Sequence, residues 1–111
     1  MRRGEILYAD LSPTIGSEIN KQRPVLIVSN DANNRAASTV TILPITSSVA
    51  RIFPFEVALS RADAGLSNDS KAQAQQIRTI SKERIVGPAI GRLSADRMTE
   101  VDAAIRLHLA L

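Results

Sequence analysis

Residues 23–46 read RPVLIVSNDANNRAASTVTILPIT, and this stretch decides the fold. Val25-Leu26-Ile27-Val28 is an unbroken aliphatic run behind Pro24, so Pro24 to Ser29 reads as a strand buried on both faces. Val40 to Ile45 repeats the pattern, with Pro44 near its end, where a missing N–H does least harm. Asn30 to Ser38, between them, is polar and reads as a loop. The two runs then pair as antiparallel strands. Pairing symmetric about the loop sets Asn30 opposite Thr39. Each step back on one strand is a step forward on the other, so Arg23 comes to face Thr46, provided no bulge intervenes. Directly opposed side chains have Cβ atoms roughly 5 Å apart. A guanidinium and a hydroxyl would meet at the mouth of one hairpin.

Outward from this hairpin the chain alternates short strands and turns. Glu5 to Leu11 reads as a strand with Ile6, Tyr8 and Leu11 buried. Ser12 to Gln22 carries Pro13, Gly16, Ser17, Asn20 and Lys21 and shows no periodicity. Loops of that length in compact domains are usually functional or disordered. Phe53, Phe55, Val57 and Leu59 alternate cleanly, which predicts a strand. Ser60 to Ser70 is a turn-rich connection with room for a short helical turn. Lys71 to Ile80 is ambiguous: Lys, Ala and Gln favour a helix, whereas Ile77-Arg78-Thr79-Ile80 favours a strand. Arg84 to Leu93, with Gly87, Pro88 and Gly91, reads as a bent strand. Ser94 is a good N-cap, and Leu93 and Met98 sit at the spacing of a hydrophobic staple. Met98, Val101, Ile105 and Leu109 then form one apolar stripe on a C-terminal helix of about four turns. Short strands followed by one helix predict a small barrel or partly open sheet with the helix packed against it.

Composition narrows the chemistry. At 111 residues the chain reads as one domain, residues 1–111. Aromatic residues make up 3%, so the core is built from Val, Ile, Leu and Ala. There is no cysteine, which removes disulfides, thiolate nucleophiles and thiolate metal sites. His108 is the one histidine, which excludes a histidine pair and a multi-histidine metal site within one chain. The net charge of +3 and a pI near 10 favour a polyanionic partner. No long apolar run predicts a membrane span. Met1-Arg2-Arg3-Gly4-Glu5 leads into a strand pattern and not a signal-peptide core, so the expected location is the cytoplasm.

Within this frame Arg23 and Thr46 stand out. An arginine presents a permanent charge in a fork that fits a phosphate in two places, and a threonine hydroxyl donates to a phosphoryl oxygen. Together they suit the stabilisation of charge on a pentacovalent phosphorus. The alternative is a solvated strand-start arginine and a turn threonine. Glu18, in the loop before Arg23, could take a proton from a ribose 2′-OH or pair with Lys21 or Arg23. Ser17, Ser47 and Ser48 offer hydroxyls at the same mouth, or plain turn chemistry. Gln76 and Arg78 share one face if their segment is a strand, able to read base edges and phosphate, or to serve as surface residues. His108, near the end of the last helix, suits the helix dipole.

The ordered set Arg3-Gly4-Glu5-Ile6, Asp10-Leu11-Ser12-Pro13, Gly16-Ser17-Glu18, Arg23 to Asp31 and Pro44-Ile45-Thr46-Ser47 resembles the MazF/PemK family of toxin endoribonucleases. Asp69-Ser70-Lys71, Gln76 to Ile80 and Gly91-Arg92-Leu93 extend the resemblance to the final helix. It implies an SH3-like small barrel of the MazF/CcdB type with a C-terminal helix, forming a homodimer, and makes Lys71 to Ile80 a strand. It implies cleavage of single-stranded RNA, without metal or other cofactor, to 2′,3′-cyclic phosphate and 5′-hydroxyl ends. The catalytic residues it implies are Arg23, Thr46 and Glu18, with Ser17, Ser47, Gln76 and Arg78 binding RNA. The implied partner is a small antitoxin with an acidic, partly disordered tail. Two other readings are a gyrase-poisoning toxin of the same barrel and a nucleic-acid-binding barrel without activity.

Overall fold

The computed structural model describes residues 1–13, 15–17 and 21–111. Among the described residues seven strands run in chain order as β1 (Glu5–Asp10), β2 (Gln22–Ile27), β3 (Thr39–Thr46), β4 (Glu56–Leu59), β5 (Ser70–Gln73), β6 (Arg78–Ser81) and β7 (Ile85–Arg92). The helices are α1 (Asp31–Ala36), α2 (Arg61–Ala64) and α3 (Ala95–Leu109). All strand pairs are antiparallel, in the order β4-β5-β3-β2-β1-β7, with β6 also on β3. This is the expected mainly-β architecture: an open, barrel-like sheet with a C-terminal helix packed on it. None of the described helices is long and apolar enough to cross a membrane.

The aliphatic run of β2 explains the layering. Val25, Leu26 and Ile27 are all fully buried, because apolar side chains cover both faces of the sheet here. Leu26 joins Ile6, Leu43 and Ile45 in the cluster beneath α3. Val25 and Ile27 join Leu7, Ala9 and Ile42 in the cluster on the other face. The β2–β3 register pairs Val25 with Pro44, Leu26 with Leu43 and Ile27 with Ile42. That is the register expected from a symmetric connection.

The connection itself corrects the sequence reading. Asn30 to Ser38 is not all loop but holds the six-residue α1, whose N-terminus is capped by Asn30 Oδ1 accepting from Asn33 N at 2.8 Å. Its one buried residue, Asn34, is bonded to Ser29 through backbone and side chain. The polar composition hid this helix because it has no apolar stripe.

The Phe53–Leu59 alternation is also cut short. Only Glu56–Leu59 is strand. Pro54 separates Phe53 from Phe55, and the two rings stack on each other, centroids 5.3 Å apart, instead of lying on one sheet face. Lys71 to Ile80 is two strands rather than one. Thr46 pairs with Lys71 and Ile42 with Arg78, so four steps along β3 correspond to seven along the opposing chain. The three extra residues are absorbed by a 3-10 turn, Ala74–Gln76. Tyr8, expected in the core, is only half-buried.

The bent seventh strand follows its glycines. Ile6 pairs with Gly91 and Tyr8 with Val86, so β7 bulges between them around Gly87, whose φ is +79°. Gly91 lies against the end of α2, where a Cβ would overlap the Ala64 carbonyl. At α3, Ser94 Oγ accepts from Arg97 N at 3.2 Å, the expected cap. Val101 and Ala104 are buried, and Met98 and Ile105 pack on the same cluster. Leu109, assigned to this stripe from its spacing, is 45% exposed instead, because it lies beyond the edge of the sheet-covering face.

Candidate active site

Arg23 enters from β2 and is paired across β1 with Ala9. The β2–β3 ladder ends at Val25 and Pro44; carried two residues further, its register sets Arg23 level with Thr46. There β3 keeps its ladder on the opposite edge, Ile45 with Ala72 and Thr46 with Lys71 of β5. Arg23, Pro24, Ile45 and Ser47 line one groove of about 160 Å³, together with Tyr8, Asn68 and Ser70. Thr46, between the lining residues Ile45 and Ser47, is half-buried. Its Oγ1 accepts from Ser48 N at 3.2 Å, which uses a lone pair and leaves the hydroxyl proton to donate elsewhere.

The loop before Arg23 is closed at its base. Leu11 N donates to Lys21 O at 3.0 Å, and Lys21 N donates to Ser12 Oγ at 2.9 Å. Arg84 clamps the outgoing limb, its Nη1 donating to Asp10 O at 3.1 Å and to Ser12 O. Ser17 is exposed, directly after Gly16 at φ +63°. Glu18 lies outside the described residues. Arg78 heads β6 and sends Nη1 to Leu11 O at 3.3 Å, two residues beyond the β1 partner of Arg23. Gln76 does not share a strand face with Arg78; it sits in the 3-10 turn, half-buried. The site set therefore divides. Arg23 and Ser47 line one groove, Thr46 stands level with Arg23 in the continued register but does not line that groove, and Arg78 reaches the foot of the adjoining loop.

The described residues contain no group of three His, Cys, Asp or Glu side chains able to hold a metal ion. A larger cavity of about 600 Å³ lies at the far end of β2, lined by Val28, Ser29 and Asn33 among others. Its Arg3 is committed to Val28 O at 2.8 Å and to Asp102, which makes it a structural seam between sheet and α3. Of the described candidate residues, Arg23 and Ser47 line the smaller groove and none lines this cavity.

The profile of the PemK-like, MazF-like toxins of type II toxin–antitoxin systems matches residues 2–109. The chain belongs to this family. Among its relatives, endoribonuclease MazF9 of Mycobacterium tuberculosis strain H37Rv is 49% identical over 116 residues, covering 100% of this chain and 98% of the relative. Endoribonuclease EndoA of Bacillus subtilis strain 168 is 38% identical, covering 100% of this chain and 96% of its own. A mycobacterial endoribonuclease solved in complex with its cognate antitoxin superposes with a TM-score of 0.81 at 28% identity, over 100% of this chain and 96% of that one.

For a PemK/MazF toxin, the surroundings of Thr46 hold residues that sequence reasoning missed. Glu56 and Lys71 are buried and paired at 3.0 Å. Lys71 Nζ also donates to Arg51 O at 2.6 Å. Glu56 Oε1 accepts from Phe53 N at 2.9 Å, and Oε2 accepts from Gln73 and Gln75 at 3.0 and 2.7 Å. Burial raises the Glu56 pKa, but the donors from Phe53, Gln75, Gln73 and Lys71 outweigh it and hold the carboxyl down at about 2. No spacing rule joins residues this far apart; the β4–β5 register, Ala58 with Lys71 and Glu56 with Gln73, does so. Tyr8 was missed as a groove residue because alternation assigned it to the core.

Proposed function

We propose that this chain is the ribonuclease toxin of its toxin–antitoxin pair, cutting single-stranded RNA at short sequence motifs without a metal ion and so inhibiting translation and growth. The observation that carries this reading is the β2–β3 register, whose continuation sets Arg23, which lines the small groove, level with Thr46. The endoribonuclease names of MazF9 and EndoA support it.

The substrate's own 2′-oxygen attacks the adjacent phosphorus in line. A 2′-O–P bond forms, the P–O5′ bond breaks, and the products are a 2′,3′-cyclic phosphate and a 5′-hydroxyl. Arg23 clamps the non-bridging oxygens and stabilises the charge that builds there. Thr46 donates to the same phosphoryl group. Glu18 orients the 2′-OH or receives its proton. A guanidinium gives up its protons too reluctantly to be a good acid, so the leaving 5′-oxygen takes its proton from solvent water and the rate is modest. Ser17, Ser47, Gln76 and Arg78 hold the flanking nucleotides, and the bases are read splayed and unstacked.

The toxin acts as a homodimer in the cytoplasm, restrained by an antitoxin whose acidic tail competes for the basic groove. The antitoxin-bound relative supports that partner class.

Incubation with a single-stranded RNA in excess chelator tests the reading, beside the same RNA carrying one 2′-deoxy nucleotide at the mapped cut. Cutting of the first and not the second is expected. Cutting of the deoxy substrate would reject 2′-OH attack, and dependence on added metal would reject the metal-free route. Gyrase inhibition without RNA cleavage, or salt-dependent RNA binding without cleavage, would replace the ribonuclease by one of the two non-enzymatic readings.

A further inference from the structure

Residues 47–55 join β3 to β4 without a helix or strand of their own. None of their apolar side chains reaches the core: Val49, Ile52 and Phe53 are 37%, 43% and 36% exposed. At the segment's end Phe55 O accepts from Ala74 N and Phe53 O from Glu56 N, at 3.1 and 2.9 Å, and further polar anchors come from two buried side chains. Lys71 Nζ takes the Arg51 carbonyl, and Glu56 Oε1 takes the Phe53 N–H. Both side chains are almost wholly inside, 9% and 1% exposed.

A buried ion pair is an expensive way to fill space, since well-packed apolar residues of similar volume often do as well or better for stability. Its use here has a geometric consequence. Lys71 is the cross-strand partner of Thr46, so their side chains share one face of the β3–β5 ladder. The pinned segment begins at Ser47, which lines the groove, and Ser48, whose N–H fixes the Thr46 hydroxyl. Thr46 is therefore bounded on its ladder side by Lys71 and on its loop side by the segment that Lys71 and Glu56 anchor.

We propose that Glu56 and Lys71 are positioning residues for RNA cleavage: together they fix the 47–55 segment, and through it the Thr46 hydroxyl and Ser47, in the geometry the reaction uses. This rests on the ribonuclease reading above. A misplacement of about 1 Å in a reacting group can cost on the order of 100-fold in rate, so the pair acts on turnover more than on binding.

The test uses the full chain with Lys71→Met, Glu56→Gln and the apolar double variant Glu56→Leu/Lys71→Met. Thermal unfolding first identifies which variants fold; if the single variants fail, the double variant decides. Two readouts follow: amide hydrogen exchange at Ser48 and Phe53, and kcat and KM on one fluorescent single-stranded RNA. The expected result is faster exchange at both amides and a kcat at least tenfold lower, with KM within about threefold of wild type. A folded variant with wild-type kcat overturns the proposal, as does one with undiminished protection at Ser48 and Phe53. Should the wild-type chain cut no RNA, the ribonuclease reading fails and the positioning role falls with it. The exchange data would then still report whether the pair pins the segment.

Discussion

Lys71 faces Thr46 across the β3–β5 ladder, yet its ammonium is committed to Glu56 at 3.0 Å and to the Arg51 carbonyl. A cation beside the candidate phosphate site is thus already neutralised and enclosed. The positive charge that lines the groove itself comes from Arg23, with Arg78 at the foot of the adjoining loop. The buried ammonium serves the architecture, whereas the Arg23 guanidinium lines the groove.

The Glu56 carboxyl titrates near 2 in the folded chain against an ordinary value of 4.5. A group with a depressed folded pKa contributes stability that is complete above the unfolded value and is lost as pH falls through the folded one. The expected window of loss therefore runs from about pH 5 down toward pH 2. The full shift corresponds to at most about 3 kcal/mol. Urea midpoints measured from pH 7 to pH 2.5 should fall across this window, and Glu56→Gln should flatten the fall. An equal slope in the variant would assign the acid sensitivity to other carboxylates.

Gly91 faces Ala64 and Gly65 with no room for a side chain; a Cβ there would overlap the Ala64 carbonyl. Gly91→Ala must push α2 off β7, and overpacking of this kind costs about 1–3 kcal/mol. A fall in the thermal midpoint is the expected outcome. Gly16→Ala is the contrast: among the described residues nothing lies near its Cβ, so the cost expected there comes from its φ of +63°. Equal midpoints for wild type and Gly91→Ala would show that the α2–β7 contact yields easily.

The uneven legibility of the chain has physical causes. The β2–β3 register was readable because two aliphatic runs flank a connection of fixed length, and pairing propagates residue by residue from its ends. Val25 opposite Pro44 follows from that alone. Phe53 and Phe55 misled because alternation records a period, not a partner: the rings satisfy each other and Arg51 lies 4.5 Å over Phe53. The 3-10 turn at Ala74–Gln76 was hidden because helix-favouring Ala and Gln adjoin a strand-favouring Ile77-Arg78-Thr79-Ile80 run, and only the pairing with β3 shows where one ends. The Glu56–Lys71 pair was out of reach, since two distant charged residues look like solvated surface until β4 and β5 bring them together. The level placing of Arg23 and Thr46 was legible because both belong to that hairpin, whose register runs on to them.

Replacing Arg23 tests the charge at the groove. Removing a preorganised donor to developing charge typically costs 100- to 1,000-fold in kcat, and Arg23→Ala should lose that much in cleavage while its urea midpoint stays near wild type. Arg23→Lys should restore little, because an ammonium cannot offer two parallel donors to one phosphoryl group. Thr46→Ser, which keeps a hydroxyl, should retain far more activity than Thr46→Val. Full activity in Thr46→Val would remove the hydroxyl from the mechanism and leave Arg23 alone.

Salt dependence separates cations that meet the RNA from those spent on the fold. For single strands the slope of log K against log salt is about −0.7 per neutralised phosphate. Binding of an uncleavable RNA with a 2′-deoxy cut site should weaken with salt, and Arg23→Ala should reduce the slope by roughly one such unit. Arg97→Ala should leave it unchanged, because Arg97 lies on α3, already paired with Asp63 at 3.2 Å and Glu100 at 2.8 Å. The two arginines carry the same formal charge, so a difference between them can come only from where each stands. A slope that Arg97→Ala lowers as much as Arg23→Ala does would mean the RNA spreads over the helix face, and the groove beside Thr46 would lose its claim as the place where the strand is held.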